Sequence, residues 1–134
     1  MRIWQVVVGG VLIGGLFAVA GGASAAQMSR LKVVRDVLAA RVENRQPVEA
    51  TVPVAADIGE LFYFTEVAGG PGTIRHVWIW QGRTMATVSL RVGASPGWKT
   101  WSSKSIMPQW TGPWRVEARD GDTVLSFKEF EVKR

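Results

Sequence analysis

The chain has 134 residues, with seven tryptophans, one histidine and no cysteine, and its 16 basic and 11 acidic residues give a formal net charge of +5. The absence of cysteine excludes disulfides, and with a single histidine it also excludes a zinc site built from Cys and His. The basic residues are dispersed rather than gathered into a stripe, which suits solubility and weak attraction to anionic surfaces and argues against nucleic acid as a partner.

Residues 1–26 read as a secretion signal. Met1-Arg2 supplies a positive start, Ile3 to Ala20 is an apolar run interrupted by Gln5 and glycines, and Gly21 to Ala26 are all small. Ala23-Ser24-Ala25 and Ser24-Ala25-Ala26 both satisfy the small-x-small pattern of signal peptidase. The competing reading is a retained anchor, since about 18 apolar residues just span a bilayer. The Gly-rich run and the cleavage-type ending favour removal. The expected location is therefore the periplasm or the exterior of a bacterial cell, with membrane contact only through an uncleaved signal.

Residues 27–40 are expected to form a lead-in and a possible first strand, ahead of a β-sandwich domain over 41–134. Leu31 to Val42 is ambiguous. Leu31, Val34, Leu38 and Val42 recur at helical spacing, yet Val33, Val34 and Val37 suit a strand, which the downstream β pattern favours. Asn44-Arg45-Gln46-Pro47 then breaks the chain. From Thr51 onward turn signals recur at the rhythm of a sandwich or barrel.

Leu61 to Val67 is an aromatic-rich strand closed by Gly69-Gly70-Pro71-Gly72. Thr73 to Trp80 follows, and Gln81-Gly82-Arg83 marks a tight hairpin. In Thr84 to Val92, Ala86, Val88, Leu90 and Val92 share one face, with Thr87, Ser89 and Arg91 on the other. Trp98 to Ile106 is extended, and Trp114 to Ala118 pairs across Asp120-Gly121-Asp122 with Val124 to Val132. These six or seven strands with short connections predict an all-β fold, a single immunoglobulin-like two-sheet antiparallel sandwich.

Chemistry has little to stand on. A Ser-His-Asp triad would need His76, and no Gly-x-Ser-x-Gly elbow is present. Asp120-Gly121-Asp122 lacks the further oxygen ligands of a calcium loop and reads as a turn. No cofactor, metal or enzymatic activity is expected.

The aromatic residues carry more information. His76, Trp78 and Trp80 alternate along one strand, opposite Arg75, Val77 and Ile79. If Val77 and Ile79 face the core, an imidazole and two indoles form an exposed strip for sugar rings or an aromatic partner. If the indoles are core, the strip disappears. A second cluster, Trp98, Lys99, Trp101 and Lys104, places its two indoles on opposite faces of a regular strand. One is expected to be buried and the other to sit at the rim with both lysines. Trp114 aligns with Val116 and Ala118 and is assigned to the core, whereas Trp110 lies in a loop.

His76-Val77-Trp78, Trp98-Lys99-Thr100-Trp101-Ser102-Ser103-Lys104, Gly112-Pro113-Trp114-Arg115-Val116-Glu117 and Phe130-Glu131-Val132 together resemble a family of bacterial exported or envelope-associated domains, domain of unknown function 2914. Arg45-Gln46-Pro47-Val48 resembles its early turn, so that the resemblance spans about 41–132. Where other members carry Arg in the Trp-Arg-Thr-Trp block, this chain has Lys99, which removes a bidentate donor. The resemblance implies a fold and not an activity. The expected role is a non-catalytic binding or interaction module whose partner is an envelope protein or a glycan, or else a structural accessory domain docking through a sheet edge.

Overall fold

The computed structural model describes residues 29–134, so the expected signal, 1–26, lies outside the described residues. Nine strands follow in order: β1 (Lys32–Glu43), β2 (Gln46–Glu49), β3 (Val54–Ala55), β4 (Gly59–Ala68), β5 (Gly72–Trp80), β6 (Arg83–Val92), β7 (Trp98–Ile106), β8 (Gly112–Asp120) and β9 (Thr123–Lys133). They form two packed sheets, one ordered β2-β1-β4-β7 and the other β3-β9-β8-β5-β6. All pairs are antiparallel except β3 with β9. The architecture is the expected all-β sandwich. The count exceeds six or seven because β2 and β3 are only four and two residues long, too short for any alternation to show.

The ambiguous first segment is a strand, and it belongs to the sandwich. A boundary at residue 41 falls inside β1. The helical spacing was misleading because β1 shifts register between Val33 and Arg35, which puts Val34 outside the ladder and 52% exposed.

Local chemistry sets the tight turns. Asn44 and Arg45 (φ 51° and 61°) join β1 to β2, and Gln81 and Gly82 (φ 51° and 77°) join β5 to β6. Two consecutive left-handed residues match the twist of the strands they connect. At the opposite end of the sandwich Gly93 lies under the Trp98 ring, where any Cβ would overlap the indole.

The core fills the space between the sheets. Leu38, Leu61, Tyr63 and Val67 from one sheet meet Ile74, Trp78, Val92, Trp114, Val116, Ala118, Phe130 and Val132 from the other. Burial of such side chains contributes about 1.5–3 kcal/mol each. Along one side the sheets are also joined by polar groups. Asp36 of β1 accepts from the Tyr63 hydroxyl (2.8 Å) and the Ser126 hydroxyl (2.6 Å), and Lys128 Nζ of β9 lies 3.6 Å away. Burial, followed by the adjacent Asp36 charge, pushes the Tyr63 phenol pKa up.

Candidate functional site

β5 is the second strand from one edge of its sheet, flanked by β8 and β6. Its alternation is as expected, and of the two orientations left open it takes the one that turns the His76 and Trp78 side inward. Ile74, His76 and Trp78 point between the sheets, and His76 and Trp78 are each 0% exposed. Val77 and Ile79 point outward. The exposed His76, Trp78, Trp80 strip therefore does not form. Large rings fill the intersheet space, while on the outer face Val77 is covered among charged neighbours, opposite Glu117 and beside Arg75. That Glu117 carboxylate is bridged by Arg115 and Arg119, each at 2.6 Å. Burial alone would raise its pKa, but the two guanidinium groups outweigh burial and hold it below the usual carboxylate range.

Inside the sandwich, His76 has a complete set of partners from the facing sheet. Its Nε2 lies 3.1 Å from Thr65 Oγ1 and its Nδ1 2.8 Å from Ser102 Oγ. Trp78 Nε1 donates to Ser102 Oγ at 3.1 Å, and Thr65 Oγ1 donates to the Thr100 carbonyl at 3.0 Å. The two ends of this chain fix its direction, because an indole N–H only donates and a carbonyl only accepts. Protons therefore run Trp78 to Ser102 to His76 Nδ1, then from Nε2–H to Thr65 to Thr100. Every donor and acceptor is used once with a neutral imidazole. Burial holds the His76 pKa down at about 3, which keeps the ring neutral. Tyr63 packs against the ring at 4.7 Å. Among the described residues no carboxylate hydrogen-bonds to the imidazole, whose partners are the Thr65 and Ser102 hydroxyls. Chemically, this is a satisfied polar bridge across the core.

Trp80 belongs to a different environment. At the end of the sandwich its indole lies 6.1 Å from Trp110 and 6.2 Å from Trp114, and Trp110 lies 6.2 Å from Trp114. Trp114 is core, 2% exposed and stacked on Phe130. Trp110 is half-buried on the β7–β8 loop. Its carbonyl accepts from Trp114 Nε1 at 2.9 Å, and the Thr111 carbonyl accepts from Trp80 Nε1 at 2.9 Å, so the loop backbone is pinned by the rings beneath it. Lys104 Nζ stands 4.9 Å over Trp110, Arg83 lies 6.0 Å from the Trp80 ring, and Met107 is 43% exposed nearby on the loop. An open groove of about 630 Å³ runs alongside, lined in part by Ile79, Gly82, Pro113 and Trp114.

The second expected cluster is divided. Trp98 and Trp101 are on opposite faces as the spacing requires, but both are half-buried, not one buried and one at the rim. Trp98 faces inward at the far end, under Arg91 at 5.0 Å. Trp101 faces outward and stacks on Phe64 at 6.0 Å, with Lys99 on the same face opposite Glu66. Only Lys104 joins Trp80. Sequence reasoning missed Ser102 and Thr65, although Thr65 occupies a core-parity position between Tyr63 and Val67. Among the described residues no three His, Asp or Glu side chains converge as metal ligands.

Comparison with known proteins adds a family. Residues 71–132 match the profile described as a protein of unknown function, DUF2914. That segment is a DUF2914 domain. The DUF2914 match takes in β5 to β9 and four of the five sequence blocks noted above, while Arg45-Gln46-Pro47-Val48 lies outside it. No curated protein matches the chain. Among solved structures, an immunoglobulin-like protein from Pseudomonas aeruginosa aligns with a TM-score of 0.55 and 18% identity, over 81% of this chain and 99% of that one. The likeness establishes an immunoglobulin-like fold around the DUF2914 segment.

Proposed function

We propose that this is a non-catalytic protein-interaction module of the bacterial envelope, and that it engages its partner through the end of the sandwich formed by Trp80, Trp110, Lys104, Arg83 and Met107. The observation that carries this reading is the half-exposed Trp110 on a pinned loop, with Lys104 over its ring, Arg83 over the adjoining Trp80 and an exposed methionine on the same loop. Tryptophan, arginine and methionine are the residue types enriched where proteins meet, and a preordered ring loses little entropy on binding. The neutral, enclosed His76 supports a non-catalytic role, since neither ring nitrogen is free to move a proton for a substrate.

Residues 1–26 support export. Intact mass of the protein released by a bacterial host should then place its first residue at Ala26 or Gln27; a full-length, membrane-held species would refute export with cleavage. For binding, protein recovered after export is used to capture partners from envelope extract, beside Trp110→Ala and Lys104→Ala variants. Loss of one captured protein in both variants, with melting unchanged, supports the reading. Retention of that partner in both refutes it. The second reading, stacking of a sugar ring on Trp110, is favoured instead if a glycan array responds to wild type and not to Trp110→Ala.

A further inference from the structure

The edges of the two sheets are unequally protected. β3 is two residues long, and β2 is four and contains Pro47. β7 carries Lys99 and Lys104, and β9, beyond its short pairing with β3, is tied to β1 through Asp36 by Ser126 and Lys128. Short length, proline, lysine and cover are the ordinary means of blunting a sheet edge. β6 is protected only at its ends, by Arg83 and a bulge at Met85 on one side and by Arg91 on the other, and it packs on β7 across the sandwich without pairing with it. It is ten residues long and borders the five-stranded sheet, and from Thr84 to Leu90 it contains no charge, proline or glycine. Its core-facing Ala86, Val88 and Leu90 are only half-buried, because among the described residues β6 has a strand on one side alone. The other side presents unpaired backbone N–H and C=O groups along the regular, β-prone stretch that follows the bulge, from Ala86 to Val92.

We propose that β6 pairs antiparallel with β6 of a second copy of this chain, about a two-fold axis through Val88. A two-fold axis normal to the sheet keeps the core-facing sides of both copies on one side, so only registers centred on a residue match face to face. Centred on Val88, Ala86 lies opposite Leu90 on the core side and Thr87 opposite Ser89 on the solvent side. The matched ladder runs from Ala86 to Leu90, and beyond it the bulge at Met85 lies nearest Arg91, so no like charges meet. Moving the centre to Thr87 places Arg83 opposite Arg91 at both ends, and directly opposed like charges destabilise a ladder. The strand is therefore complementary to itself in one register. That self-complementarity, which a foreign strand would share only by coincidence, selects a second copy as the occupant. Two five-stranded sheets become one of ten strands.

The test uses sedimentation equilibrium on protein purified after export of the full chain. A dimer mass at about 100 µM is expected, an affinity range ordinary for a weak symmetric contact. Because the chain has no cysteine, Val88→Cys gives a clean report of register. The two thiols would face each other across the axis at the 4.5–5.5 Å Cα separation of opposed residues, within disulfide range, and mild oxidation should yield a covalent dimer. Thr87 and Ser89 are exposed, so changing them leaves the core intact. Thr87→Lys with Ser89→Lys opposes four cations and should give a monomer with unchanged melting. Thr87→Lys with Ser89→Glu opposes unlike charges and should keep the dimer. A wild-type monomer throughout this range overturns the proposal, as does a dimer indifferent to the double-lysine change or capture of a foreign strand by β6 in place of self-pairing.

Discussion

Two side chains show how much a single position carries in this core. Trp114 is 2% exposed, stacked on Phe130, and fixed by its N–H to the Trp110 carbonyl. Trp114→Ala should cost about 3–5 kcal/mol, the range for a large buried aromatic, read as a fall in denaturant midpoint. A midpoint near wild type would show that the indole carries no core packing. His76 makes a pH prediction whose sign follows from its environment. Its folded pKa is depressed from 6.5 to about 3, so between those values the unfolded chain binds the extra proton. Stability is then undiminished above pH 6.5 and falls as the pH drops below it, by about 1.4 kcal/mol per unit. Between pH 6.5 and 5 few carboxylates titrate, so His76→Gln should flatten the wild-type slope there. Equal slopes in chemical denaturation would mean that the imidazole is not held neutral.

The elements themselves are held in register by their turns. The β5–β6 hairpin uses Gln81 at φ 51° ahead of Gly82, and a glutamine side chain is not suited to the left-handed region. Gln81→Asn supplies the Asn-Gly pair that this turn favours, and should stabilise the domain by about 0.5 kcal/mol. The check is a raised denaturant midpoint at constant slope; a fall would mean that Gln81 makes contacts that outweigh its backbone cost. Turn chemistry of this kind was legible in the sequence, as was the alternation of β5, β6 and β8, whereas the bulged β1 left even its helix-or-strand character open. The phase of β5 was not legible. Both of its faces carry large apolar groups, so alternation alone cannot say whether the His76 side or the Val77 side is interior. The polar partners that settle it, Thr65 and Ser102, come from β4 and β7 on the facing sheet.

At the scale of the molecule, the DUF2914 segment is not a complete folding unit. It supplies β7, whose ladder partner β4 lies outside residues 71–132, and it lacks Leu38, Leu61, Tyr63 and Val67, which form the other wall of the core. An isolated 71–134 polypeptide should therefore stay unfolded or aggregate, whereas 29–134 should melt cooperatively. Amide dispersion in an NMR spectrum distinguishes the two, and a well-dispersed spectrum from 71–134 would contradict the assignment of one shared core.

The amino-acid sequence by itself determined the all-β class, the hairpin positions, the absence of disulfides and the core role of Trp114, because each depends on local spacing or on composition. Only the tertiary structure decided which aromatics meet. It enclosed His76 and Trp78, gathered Trp80, Trp110 and Lys104 at one end, and left Trp98 and Trp101 both half-buried, one under Arg91 and the other on Phe64. Those outcomes depend on which sheet each strand joins, and strand order in a sandwich is set by packing between residues far apart in the chain.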